Sequence, residues 1–189
     1  MLNQKIVVCD IDGVLNYYPN TILKFIKDCD YGDFDTLHQA KESLSYADYN
    51  KLKDNYRKSE YKHSALVKEN AKELLEYFRK NNYFIILLTA RKCTEDMVVN
   101  TINWLKRNNL IYDYVYFSAK KDVQLYEKFK SVEVIIDDSI SNLEKIYNAN
   151  SQARYYLINN KDNSFYDTDK YITRVDDLDE IIQMEERNV

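Results

Sequence analysis

Asp10 and Asp12 stand two residues apart at the end of a short apolar run, Ile6–Cys9, and Gly13 follows them. Side chains two apart in extended backbone point the same way, so both carboxylates aim at one place. Held together they repel, and the arrangement is costly unless a cation or a shared proton relieves it. Gly13 is one of two glycines in 189 residues. It permits a sharp turn and a close approach of backbone to a ligand.

Three further apolar runs end in polar groups. Leu87-Leu88 leads into Thr89-Ala90-Arg91. Residues 114–117 lead into Ser118-Ala119-Lys120-Lys121-Asp122. Ile135-Ile136 leads into Asp137-Asp138-Ser139. Each has a plainer reading: a helix cap for Asp137-Asp138-Ser139, a loop amide satisfied by Thr89, solvated lysines at 120 and 121. Four such endings in order, each at a strand end, carry more weight than any one alone.

The elements that must position these groups alternate along the chain. Strands are expected at residues 6–9, 83–88, 114–117, 132–136 and 154–158. Helical spacing is read at 67–80, 94–108, 122–129, 140–148 and 177–186. Strands separated by helices predict a parallel sheet with helices on both faces. Ligands bind such sheets at the carboxyl ends of the strands, which is where the polar groups fall. Residues 20–64 break the pattern: they show no strand signal and read as two or three amphipathic helices, near 22–29, 37–44 and 47–58. Because this segment follows the first strand directly, it is expected to form a small helical lid over Asp10 and Asp12. The expected division is a core of residues 1–19 and 65–189 and a cap of residues 20–64.

Composition narrows the class. The chain is 45% hydrophobic, enough for a real core, and carries 27 basic and 31 acidic residues for a net charge of −4. That balance gives no polycationic signature for nucleic acid. Cys9, Cys29 and Cys93 are odd in number and widely spaced, which fits a reducing cytosol better than a disulfide framework or a zinc site. With no signal-peptide pattern and no membrane-spanning apolar run, a soluble cytoplasmic protein is expected. The 18 tyrosines accompany abundant asparagine and lysine and read as compositional drift.

Across residues 5–143 these motifs resemble the haloacid dehalogenase (HAD) superfamily of phosphohydrolases. Asp10-Ile11-Asp12-Gly13-Val14 resembles its first motif, Thr89 its second, Lys120 or Lys121 its third, and Asp137-Asp138 its fourth. The resemblance implies a Rossmann-like sheet in the order 3-2-1-4-5 and a helical cap inserted after the first strand. It also implies Mg²⁺, held by Asp10, the Asp12 carbonyl and Asp137, with Asp138 orienting a metal-bound water. Asp10 would attack phosphorus, Asp12 would protonate the leaving oxygen, and Thr89 would hydrogen-bond a phosphoryl oxygen. A lysine would balance charge. The third-motif lysine often follows an acidic residue, whereas here Asp122 comes after both; Lys121 is the preferred candidate and Lys120 a substrate contact.

Within the superfamily the chain is similar to 5'(3')-deoxyribonucleotidases, which implies a small phosphorylated substrate, a nucleotide. Tyr18 falls where those enzymes stack an aromatic ring on the base; alternatively it packs under the cap. Arg91 either contacts substrate or forms a structural pair. The rival readings are a polynucleotide 3'-phosphatase and a non-catalytic HAD-like binding protein. The sequence leaves base, sugar and oligomeric state open.

Overall fold

The computed structural model describes residues 4–118 and 131–187. Among them six strands form one parallel sheet: β1 (Ile6–Cys9), β2 (Phe84–Thr89), β3 (Tyr114–Phe117), β4 (Val132–Asp137), β5 (Arg154–Ile158) and β6 (Ile172–Val175). The order is β3-β2-β1-β4-β5-β6. The expected five-strand order is present and extended by β6, which pairs with β5 from Tyr155↔Ile172 to Ile158↔Val175. The four residues of β6 form a half-buried edge strand, too short for a sequence pattern to announce.

β1 lies at the centre and is buried throughout, which explains its uninterrupted apolar run. Val7, Cys9, Ile85, Leu87 and Val134 face one side and pack with helices α5 (Ala71–Lys80), α6 (Glu95–Arg107) and α8 (Leu178–Arg187). Ile6, Val8, Ile86, Leu88 and Ile135 face the other side and meet α7 (Ile140–Tyr147). A register irregularity between Ile6 and Val7 lets β4 slip one residue past β1 at Glu133.

Between β1 and α5 the chain forms α1 (Asn20–Asp28), α2 (Leu37–Ser43), α3 (Tyr46–Arg57) and the single turn α4 (Glu60–His63). Side-chain caps start two of them. Thr36 Oγ1 accepts from the Gln39 amide at 3.1 Å and Ser45 Oγ from the Asp48 amide at 3.1 Å, each satisfying an otherwise orphaned N–H. These helices enclose their own apolar cluster of Ile22, Phe25, Ile26, Leu52 and Tyr56. The two connections to the sheet are tied together: the Tyr17 amide donates to the Leu66 carbonyl and the Lys68 amide to the Leu15 carbonyl. That tie draws Val67 into a bridge with Asn16, so α5 begins at Ala71 and not at 67. No helix among the described residues is long and apolar enough to cross a membrane. The expected helix at 122–129, with Lys120 and Lys121, lies outside the described residues.

Candidate active site

The sheet delivers its carboxylates as the strand registers require. Cys9 is level with Leu87 of β2 and Ile136 of β4. Asp10, just past β1, donates its amide to the Ile136 carbonyl at 2.9 Å, which sets it beside Asp137. Asp10, Asp137 and Asp138 each offer one carboxylate oxygen, and these oxygens lie within 4.8 Å of one another. Three hard oxygen donors at that spacing suit a small divalent cation such as Mg²⁺.

Local bonds hold the three carboxylates. Asp10 Oδ1 accepts from the Ile11 amide at 2.7 Å. Asp137 Oδ1 accepts from the Ser139 amide at 2.9 Å and from Asn142 Nδ2 at 3.2 Å. It therefore braces the turn that leads into α7 as well as joining the cluster. Asn160 Nδ2 donates to Asp138 Oδ2 at 3.2 Å, and Asn163 Nδ2 to the Asp138 carbonyl at 2.9 Å. Gly13 sits at φ +90°, and a Cβ there would lie 2.0 Å from Asp138 Oδ2. Its lack of a side chain is therefore a packing requirement of the acidic cluster as well as a turn requirement. The sequence reading sets Asp138 behind the metal ligands; the structure places one of its oxygens within the same 4.8 Å grouping as those of Asp10 and Asp137.

Asp12 turns elsewhere. Arg91 grips it with two bonds, Nε to Oδ2 at 3.0 Å and Nη2 to Oδ1 at 2.8 Å. Lys62, from α4, adds an ion pair to Oδ2 at 2.6 Å. Asn16 Nδ2 donates to Oδ1 at 2.8 Å, while its own Oδ1 accepts from the Gly13 and Tyr18 amides. Burial alone would raise the Asp12 pKa, but the Arg91 guanidinium and then the Lys62 ammonium hold it well below the usual carboxylate range. The partners do not gain alike. Arg91 stays raised despite its burial, because its planar fork matches the carboxylate. Lys62 is pushed down to about 8 by burial, even though Asp12 pulls it up. Its ammonium also lies 5.4 Å from the Tyr18 ring and 5.7 Å from the Tyr56 ring, contacts that favour the charged form.

Thr89 is fully buried, and its Oγ1 accepts from the Arg91 amide at 3.2 Å. It thus satisfies a loop amide, as its plainer reading holds, and its O–H remains a donor. Arg91 Nη1 also donates to Thr101 Oγ1 at 3.0 Å. Tyr18 is half-buried against Tyr56, ring centroids 6.4 Å apart.

Two cavities share Tyr18 and Asp138 in their walls. The smaller, about 200 Å³, also reaches Asp10, Asp12, Lys62 and Arg91. The larger, about 580 Å³, runs past Ser139, Asn160, Asp162 and Tyr166. In all, the structure unites Asp10, Asp12, Tyr18, Arg91, Asp137 and Asp138 around the smaller cavity or the acidic cluster beside it, with Thr89 behind them. Sequence reasoning missed Lys62, Asn16, Asn142 and Asn160. Asn16 had a faint signal, four residues beyond Asp12 in the turn, whereas Lys62 had none, being one of several lysines between residues 51 and 68.

No protein-family model matches the sequence, and no curated protein matches it significantly. Solved structures do. A protein assigned as a β-phosphoglucomutase from Thermotoga maritima is 14% identical, with 98% of this chain and 100% of that one covered and a TM-score of 0.64. A D,D-heptose 1,7-bisphosphate phosphatase from Burkholderia thailandensis is 14% identical over 96% of this chain and 98% of that one, with a TM-score of 0.57. A HAD-superfamily hydrolase from Ehrlichia chaffeensis is 15% identical over 99% and 98%, with a TM-score of 0.56. The chain has the Rossmann-like fold of HAD-superfamily hydrolases, with an acidic cluster at the carboxyl edge of its sheet.

Proposed function

We propose that the protein is a Mg²⁺-dependent phosphate monoester hydrolase that works through an aspartyl-phosphate on Asp10 and acts on a nucleotide. The observation that carries this reading is the convergence of Asp10, Asp137 and Asp138 oxygens within 4.8 Å at the sheet edge, with Asp12 close by on separate cations. Asp10, Asp137, Asp138 and the Asp12 carbonyl would hold Mg²⁺. When bound it neutralises the phosphate and orients it for in-line attack.

The chain's own groups supply the remaining steps. Asp10 attacks phosphorus and later gives the phosphoryl group to water. Asp12 must carry a proton to assist the leaving oxygen, yet Arg91 and Lys62 hold it ionised. A dianionic phosphate arriving in the cavity competes for both cations, which releases Asp12 to take up a proton. Thr89 donates to a phosphoryl oxygen, and Lys121, with Lys120 beside it, balances charge. Residues 20–64 act as the lid. The Tyr18 ring, common to both cavities, stacks on the base of a nucleoside in the larger one, whose size suits such a ligand.

The test combines metal, mutation and substrate. Mg²⁺ should raise the melting temperature of the wild type but not of Asp137→Asn, and chelation should abolish hydrolysis of an aryl phosphate. Asp10→Asn should lower kcat by about 10⁴ with the fold intact. Nucleoside monophosphates should outperform 3'-phosphorylated oligonucleotides. The reverse order would install the polynucleotide 3'-phosphatase reading, and full activity after exhaustive chelation would end the metal reading.

A further inference from the structure

We propose that the smaller cavity holds a second anion subsite, built by Lys53 and Arg57 of α3 with Lys92 beyond β2, and that the substrate is a phosphate monoester carrying a second anionic group. All three residues line the cavity that contains Asp10 and Asp12. Lys53 and Arg57 are four apart and so share one face of α3. The inference rests on the phosphate ester reading but not on the nucleotide.

The charges at this rim do not balance internally. Arg91 and Lys62, deeper in, are engaged by Asp12. At the rim Arg57 and Lys92 share one carboxylate, Asp54, at 2.7 and 3.1 Å. Lys53 has no carboxylate partner among the described residues. Its ammonium lies 5.6 Å from the Tyr49 ring. Among the ion pairs at this rim, one acid stands against three cations, beside a cavity wall of low dielectric. Lys53 is half-buried. Burial first, then Arg57 and Lys41, push its pKa down against a pull upward from Asp54. An anion bridging Lys53 and Arg57 would relieve the repulsion between them through charge-assisted hydrogen bonds.

The transferring phosphoryl group cannot serve as this anion, since it must meet Asp10 at the strand end. A second anion on the leaving group can reach outward to the rim. A short phosphorylated carboxylic acid and a nucleoside bisphosphate both have that chemistry.

Matched pairs test it. Glycerol 3-phosphate is compared with 3-phosphoglycerate, and adenosine 5'-monophosphate with adenosine 3',5'-bisphosphate. In at least one pair kcat/KM should favour the second-anion member by roughly tenfold, the effect of one charge-assisted contact; the pair that responds identifies the source. Lys53→Gln should collapse that ratio by a similar factor, and Arg57→Gln provides a second variant should the first fold poorly. Calorimetric binding to the Asp10→Asn protein gives a readout without turnover. Preferential binding of the second-anion member, lost in Asp10→Asn/Lys53→Gln, upholds the subsite even if the wild type hydrolyses nothing, in which case the hydrolase reading alone fails. Aryl phosphate hydrolysis with no preference in either pair, or a ratio that Lys53→Gln leaves intact, overturns the subsite.

Discussion

The sheet edge and the helices α1–α4 bring different groups to the cavity. The sheet side contributes the carboxylates Asp10, Asp12, Asp137 and Asp138, with Arg91 and Lys92 just past β2; the helices contribute the cations Lys53, Arg57 and Lys62. Asp10 and Asp137 are held by short-range devices: the next amide in the chain, a turn amide, and an asparagine five residues on. Asp12 and Lys62 are instead held by groups distant in sequence, meeting each other across fifty residues. A site made this way is complete only when both regions are in place. Asp10 and Asp137 are preorganised at the sheet edge, while the pairing of Asp12 with Lys62 reports where α4 sits.

The largest expected effect comes from breaking the tie between the two regions. Asp12→Ala leaves Arg91 and Lys62 buried without their counter-ion. Stranding buried charges of this kind costs about 3–5 kcal/mol, a large fraction of a domain's stability. Asp12→Ala/Lys62→Met removes one of the stranded charges and should recover part of the loss. By contrast Asp137→Asn, whose partners Ser139 N–H and Asn142 Nδ2 both donate, should leave stability nearly as it was and abolish only the response to Mg²⁺. Chemical denaturation of the four proteins, with and without Mg²⁺, measures all of this. Equal destabilisation by Asp12→Ala and Asp137→Asn would mean that the two regions are not held differently.

The same division explains what the sequence disclosed. A fully buried strand must be apolar on both faces, so its last residue and the polar group beyond it are marked by contrast; Asp10, Thr89 and Asp137 were legible for that reason. The parallel sheet followed from strand–helix alternation, whereas the order β3-β2-β1-β4-β5 was implied only by the resemblance to the HAD superfamily. β6 was not legible, because four half-buried residues at a sheet edge produce no distinctive period. Lys62 was not legible either. It is buried by Tyr18, Tyr56 and Asp12, and nothing in the tetrapeptide Glu60-Tyr61-Lys62-His63 marks it as the buried member. The first and last boundaries of α5 show the same rule: its end at Lys80 was clear from Asn81-Asn82, but its start moved because of the bridge between Asn16 and Val67.

A smaller effect is expected at Tyr18, which sits where the two regions join. Tyr18→Ala should raise KM for nucleotides roughly tenfold, given the usual stacking energy on a base, and scarcely change KM for an aryl phosphate. Tyr18→Phe keeps the ring and should keep the affinity. Steady-state kinetics on both substrates decides the matter. Parallel losses on both would show that the ring serves only the packing of Tyr56 and Lys62.

The smallest effect, and the most specific to the cation side, is a pH dependence set by Lys62. Its pKa lies near 8 because burial outweighs Asp12, well under the unfolded value of about 10.4. Between these two values the unfolded chain binds the proton that the folded chain has released. Stability from this group therefore rises with pH across that window and is flat below it. Activity should run the other way. If the phosphate draws Lys62 and Arg91 away from Asp12, the neutral amine above pH 8 is a poorer partner, and kcat/KM should fall by a few-fold over that limb. Lys62→Arg keeps its charge at every accessible pH and should move the limb out of range. A profile of kcat/KM against pH, run beside a denaturation series, separates the two trends. An identical basic limb in Lys62→Arg would assign the titration to another group and leave Lys62 as an ion-pair partner only.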